Sequence, residues 1–202
     1  MKKGQNFNHP ATKSKIKVYP IQKLKDIKTI KKLLAHKPLD LALFTVGINT
    51  NLRASDLLQI KVKQVKGLKP GEHIELREKK TDKIRRITLN GACIETIQNL
   101  LRHRLRSRRY RSDEDFLFTG KRGTLTVPSI HLKVKSWCRQ INLKGNYGSH
   151  TLRKTWGYHQ YHTFKQPLPL LMECFNHSTQ RQTLNYLCIQ AEEIQSVYMN
   201  EL

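Results

Sequence analysis

A chain of 202 residues with 38 lysines and arginines against 15 aspartates and glutamates has a formal net charge of +23, an excess that repels itself on folding and calls for a polyanionic partner. Hydrophobic residues still make up 38% of the sequence and recur in periodic stretches, which excludes a disordered polyelectrolyte. There is no apolar run long enough to span a bilayer and no apolar signal core after MKKGQNFNHP, so the chain reads as soluble and cytoplasmic, with no membrane attachment.

Residues 1–18 are rich in lysine and asparagine and poor in apolar groups, which marks a basic arm, either solvated or touching phosphates. A helical pattern begins at Ile21. Asp26 is its candidate N-cap, and Ile27, Ile30, Leu33 and Leu34 recur at helical spacing. Pro38 is expected to close that helix and Asp40 to open LALFTVGI, which is apolar all round and therefore central to the core. NTNL breaks it, and RASDLLQI follows as a short helix with Arg53 in its first turn. The runs HIELRE and IRRITL flank KKTDK, which predicts a hairpin with Lys80 in or beside the turn. Asn90 caps a helix striped by Ile94, Ile97, Leu101 and Leu105, ending in the basic run RHRLRSRRYR, a phosphate-contacting or solvated face. FLF at 116–118 reads as a short buried strand, and TVPSIHLKVKSWCRQI as an amphipathic helix with Pro128 near its start. Ser149 is the N-cap candidate for HTLRKTWGYHQYH. Pro167 and Pro169 restart a helix through LPLLMECF that ends at Asn176-His177. Ser178 caps STQRQTLNYLCI, and AEEIQSVYMNEL forms a last amphipathic piece. The expected fold class is α+β, mostly helical, with one small antiparallel β-sheet. It forms one domain over residues 19–190, followed by a tail helix at 191–202.

Nucleic acid is the leading polyanion, because basic side chains displace counterions condensed on phosphates. A membrane surface would need an amphipathic anchor or a lipidation motif. Cys93, Cys138, Cys174 and Cys188 are widely spaced, with no C-x-x-C pair, so they read as buried small hydrophobes. Cys174 and His177 lack a second ligand pair at zinc spacing, and no metal or other cofactor is expected.

Cutting DNA without a metal asks for specific groups. Guanidinium forks neutralise charge building on the phosphate oxygens, a nucleophile attacks in line, and a proton reaches the leaving oxygen. His150 and Arg153 lie three apart on a predicted helix, on one face and in its first turn, where the helix dipole favours an anion. His177 precedes another helix start, and Tyr186 follows nine residues later. Arg53 opens the helix after an apolar core element, and Lys80 rides a hairpin tip that could enter a groove.

These segments resemble the motifs of the tyrosine recombinase (phage integrase) family, in family order over residues 21–188. LFTVGINTNLRASDLL resembles the first-arginine motif with Arg53, and REKKTDKIRRITL the hairpin lysine motif with Lys80. HTLRKTWGYH resembles the H-x-x-R motif with His150 and Arg153, and FNHSTQRQTLNY the final motif with His177 and Tyr186. The resemblance implies that Tyr186 attacks the scissile phosphate to form a 3′-phosphotyrosyl bond, so that neither metal nor ATP is needed. Lys80 would protonate the leaving 5′-oxygen, with Lys79 and Lys83 as neighbouring rivals. Arg53 and Arg153 would clamp the phosphate, His177 would add a hydrogen bond, and His150 would assist proton transfer. Of the seven tyrosines, Tyr186 alone has the family spacing.

The partner implied is double-stranded DNA, bound by a homo-tetramer assembled from free monomers or dimers, with the 191–202 helix able to dock on a neighbour. Two departures stand out. Asn176 replaces the usual glycine before His177, a mild change because asparagine tolerates left-handed backbone. Only about 20 residues precede the first motif helix, against the extra helical domain common in the family, so the chain resembles either the short one-domain members or a truncated integrase. The alternatives from other classes are a catalytically silent DNA-binding regulator and a relaxing type IB topoisomerase.

Overall fold

The all-apolar segment after Lys37 becomes α2 (Pro38–Asn49), whose residues Ala42 to Ile48 are all buried. A helix without a polar face has to be surrounded. Helix α2 packs most extensively on α5 (Gly91–Arg106) and α7 (Ser149–Tyr158). Phe44 meets Trp137 of α6 (Val127–Gln140) edge to face, with centroids 5.8 Å apart. Helix α1 (Leu24–Leu33) lies against α2 and α6 and buries Ile27 and Ile30. The computed structural model describes residues 18–79, 82–108, 110–188, 195 and 198–201. Lys80, nearly all of the basic arm and most of the expected tail helix lie outside them.

Between α2 and α5 the chain forms two short helices, α3 (Ala54–Leu57) and α4 (Val62–Val65). The hairpin of β1 (His73–Arg77) and β2 (Ile84–Thr88) follows, antiparallel with His73 opposite Thr88 and Arg77 opposite Ile84. A second two-stranded sheet pairs β3 (Thr119–Gly120) with β4 (Gly123–Thr124). After α7 the helix widens into a π-helical turn at His159–Thr163, and α8 (Leu168–Phe175) and α9 (Gln180–Leu187) complete the described elements. The expected fold class holds: the molecule is mostly helical and its sheets are small and antiparallel.

Several local expectations shift. Lys23, in extended conformation, is the N-cap of α1, and Asp26 sits in the first turn, where its charge still favours the dipole. Pro38 opens α2 instead of closing α1, because the first helical position needs no N–H. Asp40 accordingly falls in the first turn of α2. Gly148 takes the N-cap of α7 and Ser149 its first position, while Gly148 N–H donates to Thr151 Oγ1 at 3.0 Å. Thr179, not Ser178, caps α9 by accepting from Gln182 N–H at 3.4 Å.

On α5, Asn90 caps as expected, accepting from Cys93 N–H at 3.0 Å. Leu105, however, is 58% exposed, and Leu100 takes its place in the buried stripe. Arg104, within the basic run, is buried: it pairs with Asp115 at 3.2 Å and donates to the Phe116 and Leu117 carbonyls. It is a strut, not a DNA-facing cation. FLF forms no strand. Leu117 and Phe118 are buried, but Phe116 makes only an isolated bridge to Lys61. Cys93, Cys138 and Cys188 are buried, Cys174 is half-buried, and all four are free thiols. Burial pushes the Cys93 and Cys138 thiols up to about 12, which removes them from thiolate chemistry.

Gly157 lets α7 approach α8. A Cβ there would lie 2.6 Å from Cζ and 3.1 Å from Cε2 of the fully buried Phe175 ring. Gly157→Ala should therefore destabilise the protein by about 1–3 kcal/mol in urea unfolding, despite alanine's better helix propensity. A stabilised variant would show that Phe175 has room to move.

Candidate active site

The first arginine is set by a change of backbone direction. Arg53 is the extended N-cap of α3, with φ −66° and ψ 152°, just after Asn51 in left-handed conformation (φ 54°). Its Nη1 lies 2.8 Å from Glu78 Oε1 and 3.7 Å from Asp56 Oδ2. Both carboxylates are buried, Glu78 at 1% and Asp56 at 0% exposure, so their charges are tolerable only because they are paired.

Arg153, on α7, is the largest fully buried side chain among the described residues, at 1% exposure. Its Nη1 donates to the Asn51 carbonyl at 2.7 Å and its Nη2 to the Phe175 carbonyl at 2.8 Å. Its guanidinium stacks over Phe175 at 5.0 Å and Tyr186 at 5.6 Å. The buried Nε has no hydrogen-bond partner among the described residues. Burial, and then Arg53, pull the guanidinium down to about 10, which leaves it charged at neutral pH.

His177 follows the C-cap of α8, where Asn176 takes the left-handed conformation (φ 53°, ψ 48°) that its short polar side chain tolerates. The His177 ring stacks on Phe175 at 4.9 Å with an 8° interplanar angle, and its Nδ1 lies 3.1 Å from Thr183 Oγ1. Burial, then Arg153 and Arg53, push His177 down to about 4, so it is neutral at pH 7. Tyr186, on α9, holds its hydroxyl 3.4 Å from His150 Nδ1 in the first turn of α7. Lys154 Nζ lies 5.6 Å from the same tyrosine ring.

Arg53, His150, Arg153, His177 and Tyr186 all line one open cleft of ≈ 1000 Å³. Five of the six residues singled out in the sequence thus meet at one surface. The sixth, Lys80, lies outside the described residues. Its neighbour Lys83 does line the cleft and donates to Asn176 Oδ1 at 3.4 Å. Among the described residues no cluster of His, Cys, Asp or Glu could hold a metal ion, and no helix is long and apolar enough to cross a membrane.

Residues 22–193 match the model of the phage integrase family. The chain belongs to the phage integrase family, the tyrosine recombinases. This integrase-family chain is 30% identical over 184 residues to the probable integrase/recombinase YoeC of Bacillus subtilis, covering 90% of itself and 95% of that protein. It is 29% identical over 160 residues to the tyrosine recombinase XerC of Caldanaerobacter subterraneus, covering 78% of itself but 43% of that protein. In fold it matches the XerA recombinase with a TM-score of 0.73 at 17% identity, over 92% of this chain and 65% of that one. It also matches XerH bound to palindromic difH DNA with a TM-score of 0.73 at 20% identity, over 90% of this chain and 52% of that one.

Sequence reasoning missed what holds these groups. Glu78 and Asp56 orient Arg53, Thr183 sets the His177 ring, and Phe175 backs His177, Arg153 and Tyr186 together. One signal for Glu78 was available. The inward positions of β1 are Ile74 and Leu76, and the same alternation makes Glu78 the next inward residue.

The depressed His177 makes a prediction about acid stability. Its folded value of about 4 lies below the ordinary 6.5, so the unfolded chain binds more protons between these values. Its contribution to stability is complete above 6.5 and is lost as pH falls towards 4. His177→Gln should flatten this part of the pH profile of urea unfolding. A profile identical to wild type would contradict the assignment.

Proposed function

We propose that this protein is a site-specific recombinase that cuts and rejoins double-stranded DNA through a 3′-phosphotyrosyl bond on Tyr186. The observation that carries this reading is the convergence of Tyr186, His150, Arg53, Arg153 and His177 on one open cleft. Integrase-family membership and the DNA-bound state of the fold relative XerH support the same reading.

In this mechanism Tyr186 Oη attacks the scissile phosphorus while the bond to the 5′-oxygen breaks. The phenolic proton passes to His150, whose Nδ1 is 3.4 Å away. Such a loose contact is usual before substrate tightens the site. The 5′-oxygen takes a proton from Lys80 on the hairpin and departs as a hydroxyl. Arg53 and Arg153 offset the charge on the non-bridging oxygens. With Thr183 donating to Nδ1, neutral His177 carries its proton on Nε2 and donates it to a phosphate oxygen. A 5′-hydroxyl from a partner strand then attacks the phosphotyrosyl bond, restores the diester and releases Tyr186. The energy of the diester is retained throughout, so the cycle needs no ATP, and Arg53, Arg153 and Lys80 take the charge-neutralising and proton-donating roles that a metal ion and its water would otherwise fill. Residues 19–190 act as the catalytic domain. The 1–18 arm adds phosphate contacts, and the 191–202 segment joins subunits in a homo-tetramer on DNA.

A pool of randomised duplexes, each nicked close to a possible cleavage point so that the short 5′-hydroxyl strand diffuses away, tests the reading. Wild type should form an adduct resistant to detergent, and Tyr186→Phe should form none. Equal trapping by both would remove Tyr186 as nucleophile, and no adduct from either would favour a silent DNA-binding regulator. Arg153→Lys keeps the charge but loses the fork. It should slow adduct formation by about 10²–10³-fold, read as a single-turnover rate on the captured sequences.

A further inference from the structure

Glu78 lies outside the set of groups that the reaction uses, yet it is a carboxylate at 1% exposure beside Arg53 and Arg85. One oxygen, Oε1, takes two arginines: Nη1 of Arg53 at 2.8 Å and Nη1 of Arg85 at 2.9 Å. The other, Oε2, accepts from Asn176 Nδ2 at 3.3 Å. Arg85 also donates through Nη2 to the Cys174 carbonyl at 2.6 Å. The carboxylate therefore joins three parts of the chain that are far apart in sequence. Arg53 begins α3, Glu78 and Arg85 form the base of the hairpin that carries Lys79 to Lys83, and Cys174 and Asn176 end α8 beside His177. Lys79 N–H adds a second tie from hairpin to α3, donating to Asp56 Oδ1 at 3.1 Å.

From this geometry, and resting on the recombinase reading above, we propose that Glu78 is a positioning residue of the active site. It sets the fork of Arg53 and holds the lysine-bearing hairpin in register with His177. The alternative is a merely stabilising ion pair, and buried ion pairs are poor stabilisers because desolvation cancels most of their attraction. A hydrophobic residue at this inward position just past β1 would fill the same space without that cost. What only a carboxylate supplies is one fixed negative oxygen that accepts a hydrogen bond from Arg85 and ion-pairs with Arg53 at the same time, which holds both guanidiniums close to the cleft. Its negative charge also opposes phosphate binding in the same cleft, so removing it separates positioning from affinity.

The test uses the full-length protein and the duplexes that wild type captures covalently. In Glu78→Gln the adduct rate at saturating DNA should fall about 10- to 100-fold, the scale of a small misplacement of catalytic groups. The dissociation constant for the same DNA should stay equal or become tighter. Arg85→Lys keeps the charge but cannot bridge Glu78 and the Cys174 carbonyl, and it should lower the rate in the same way. It serves as the second variant if Glu78→Gln does not fold by circular dichroism. Rates within twofold of wild type for the folded variants would overturn the proposal. So would a rate loss that appears only together with lost DNA affinity or a lost fold. Failure of wild type itself to form an adduct would instead refute the recombinase reading.

Discussion

A guanidinium buried to 1% exposure has to give up water on every side, and in this protein Arg153 recovers those hydrogen bonds from two backbone carbonyls. The choice of carbonyls matters. Asn51 lies just past α2, and Phe175 is the last residue of α8. Helix C-termini leave carbonyls without intrahelical donors, so one side chain on α7 satisfies the last carbonyl of α8 together with a carbonyl two residues past α2, and ties the two chain segments together. The planar fork makes the fixing directional, which a lysine could not do. Arg53, two residues after Asn51, and His177, two residues after Phe175, inherit their positions from this arrangement. The rest of the cleft is built around that cation.

Concentrating Arg53, Arg85 and Arg153 in one region has an electrostatic consequence. Two buried carboxylates, Glu78 and Asp56, offset part of the charge. Burial, and then the field of Arg153 and Arg53, makes His177 give up its proton. The cleft therefore holds groups in different states by environment: charged arginines, a neutral His177, and a half-exposed tyrosine facing an exposed histidine.

The sequence carried the fold class and five of the gathered residues because those signals are local. Apolar periodicity marks α2 and α5, and the three-residue spacing of His150 and Arg153 needs only a helix between them. The left-handed turn at Asn176 was likewise readable, since few residues adopt it easily. Helix starts were legible only to within a few residues, because Gly148 and Ser149, or Ser178 and Thr179, compete for one cap and tertiary packing decides. Long-range ties were not legible. Nothing near Glu78 in sequence names Arg53 as its partner, and Arg104 looked like another exposed cation of RHRLRSRRYR until its helix was packed against the Asp115 turn. Charge in a basic chain reads as surface by default, and only burial reveals which cations are internal.

Tyr186 rests on a different foundation from the arginines. Among the described residues, the main core runs through α1, α2, α5, α6 and α7, whereas Leu171, Phe175 and Leu187 form a separate small cluster under α8 and α9. Helix α9 is held at its start by the Thr179 cap. At its end the Leu187 carbonyl lies 2.9 Å from His162 Nε2, in the π-helical turn that follows α7. Widening that turn lets His162 meet the end of α9 while His159 bonds the Ile21 carbonyl at 2.9 Å, so one irregularity links the satellite at one residue and the main core at another. A helix seated on a few apolar contacts and end-on hydrogen bonds moves at lower cost than one embedded in the main core. The proposed strand transfer would use that asymmetry: the groups that stabilise the phosphate stay fixed, while a residue that forms and breaks a covalent bond to it follows the phosphorus in both directions. Arg153 locked between two carbonyls and Tyr186 on the satellite helix fit that division of stiffness and compliance.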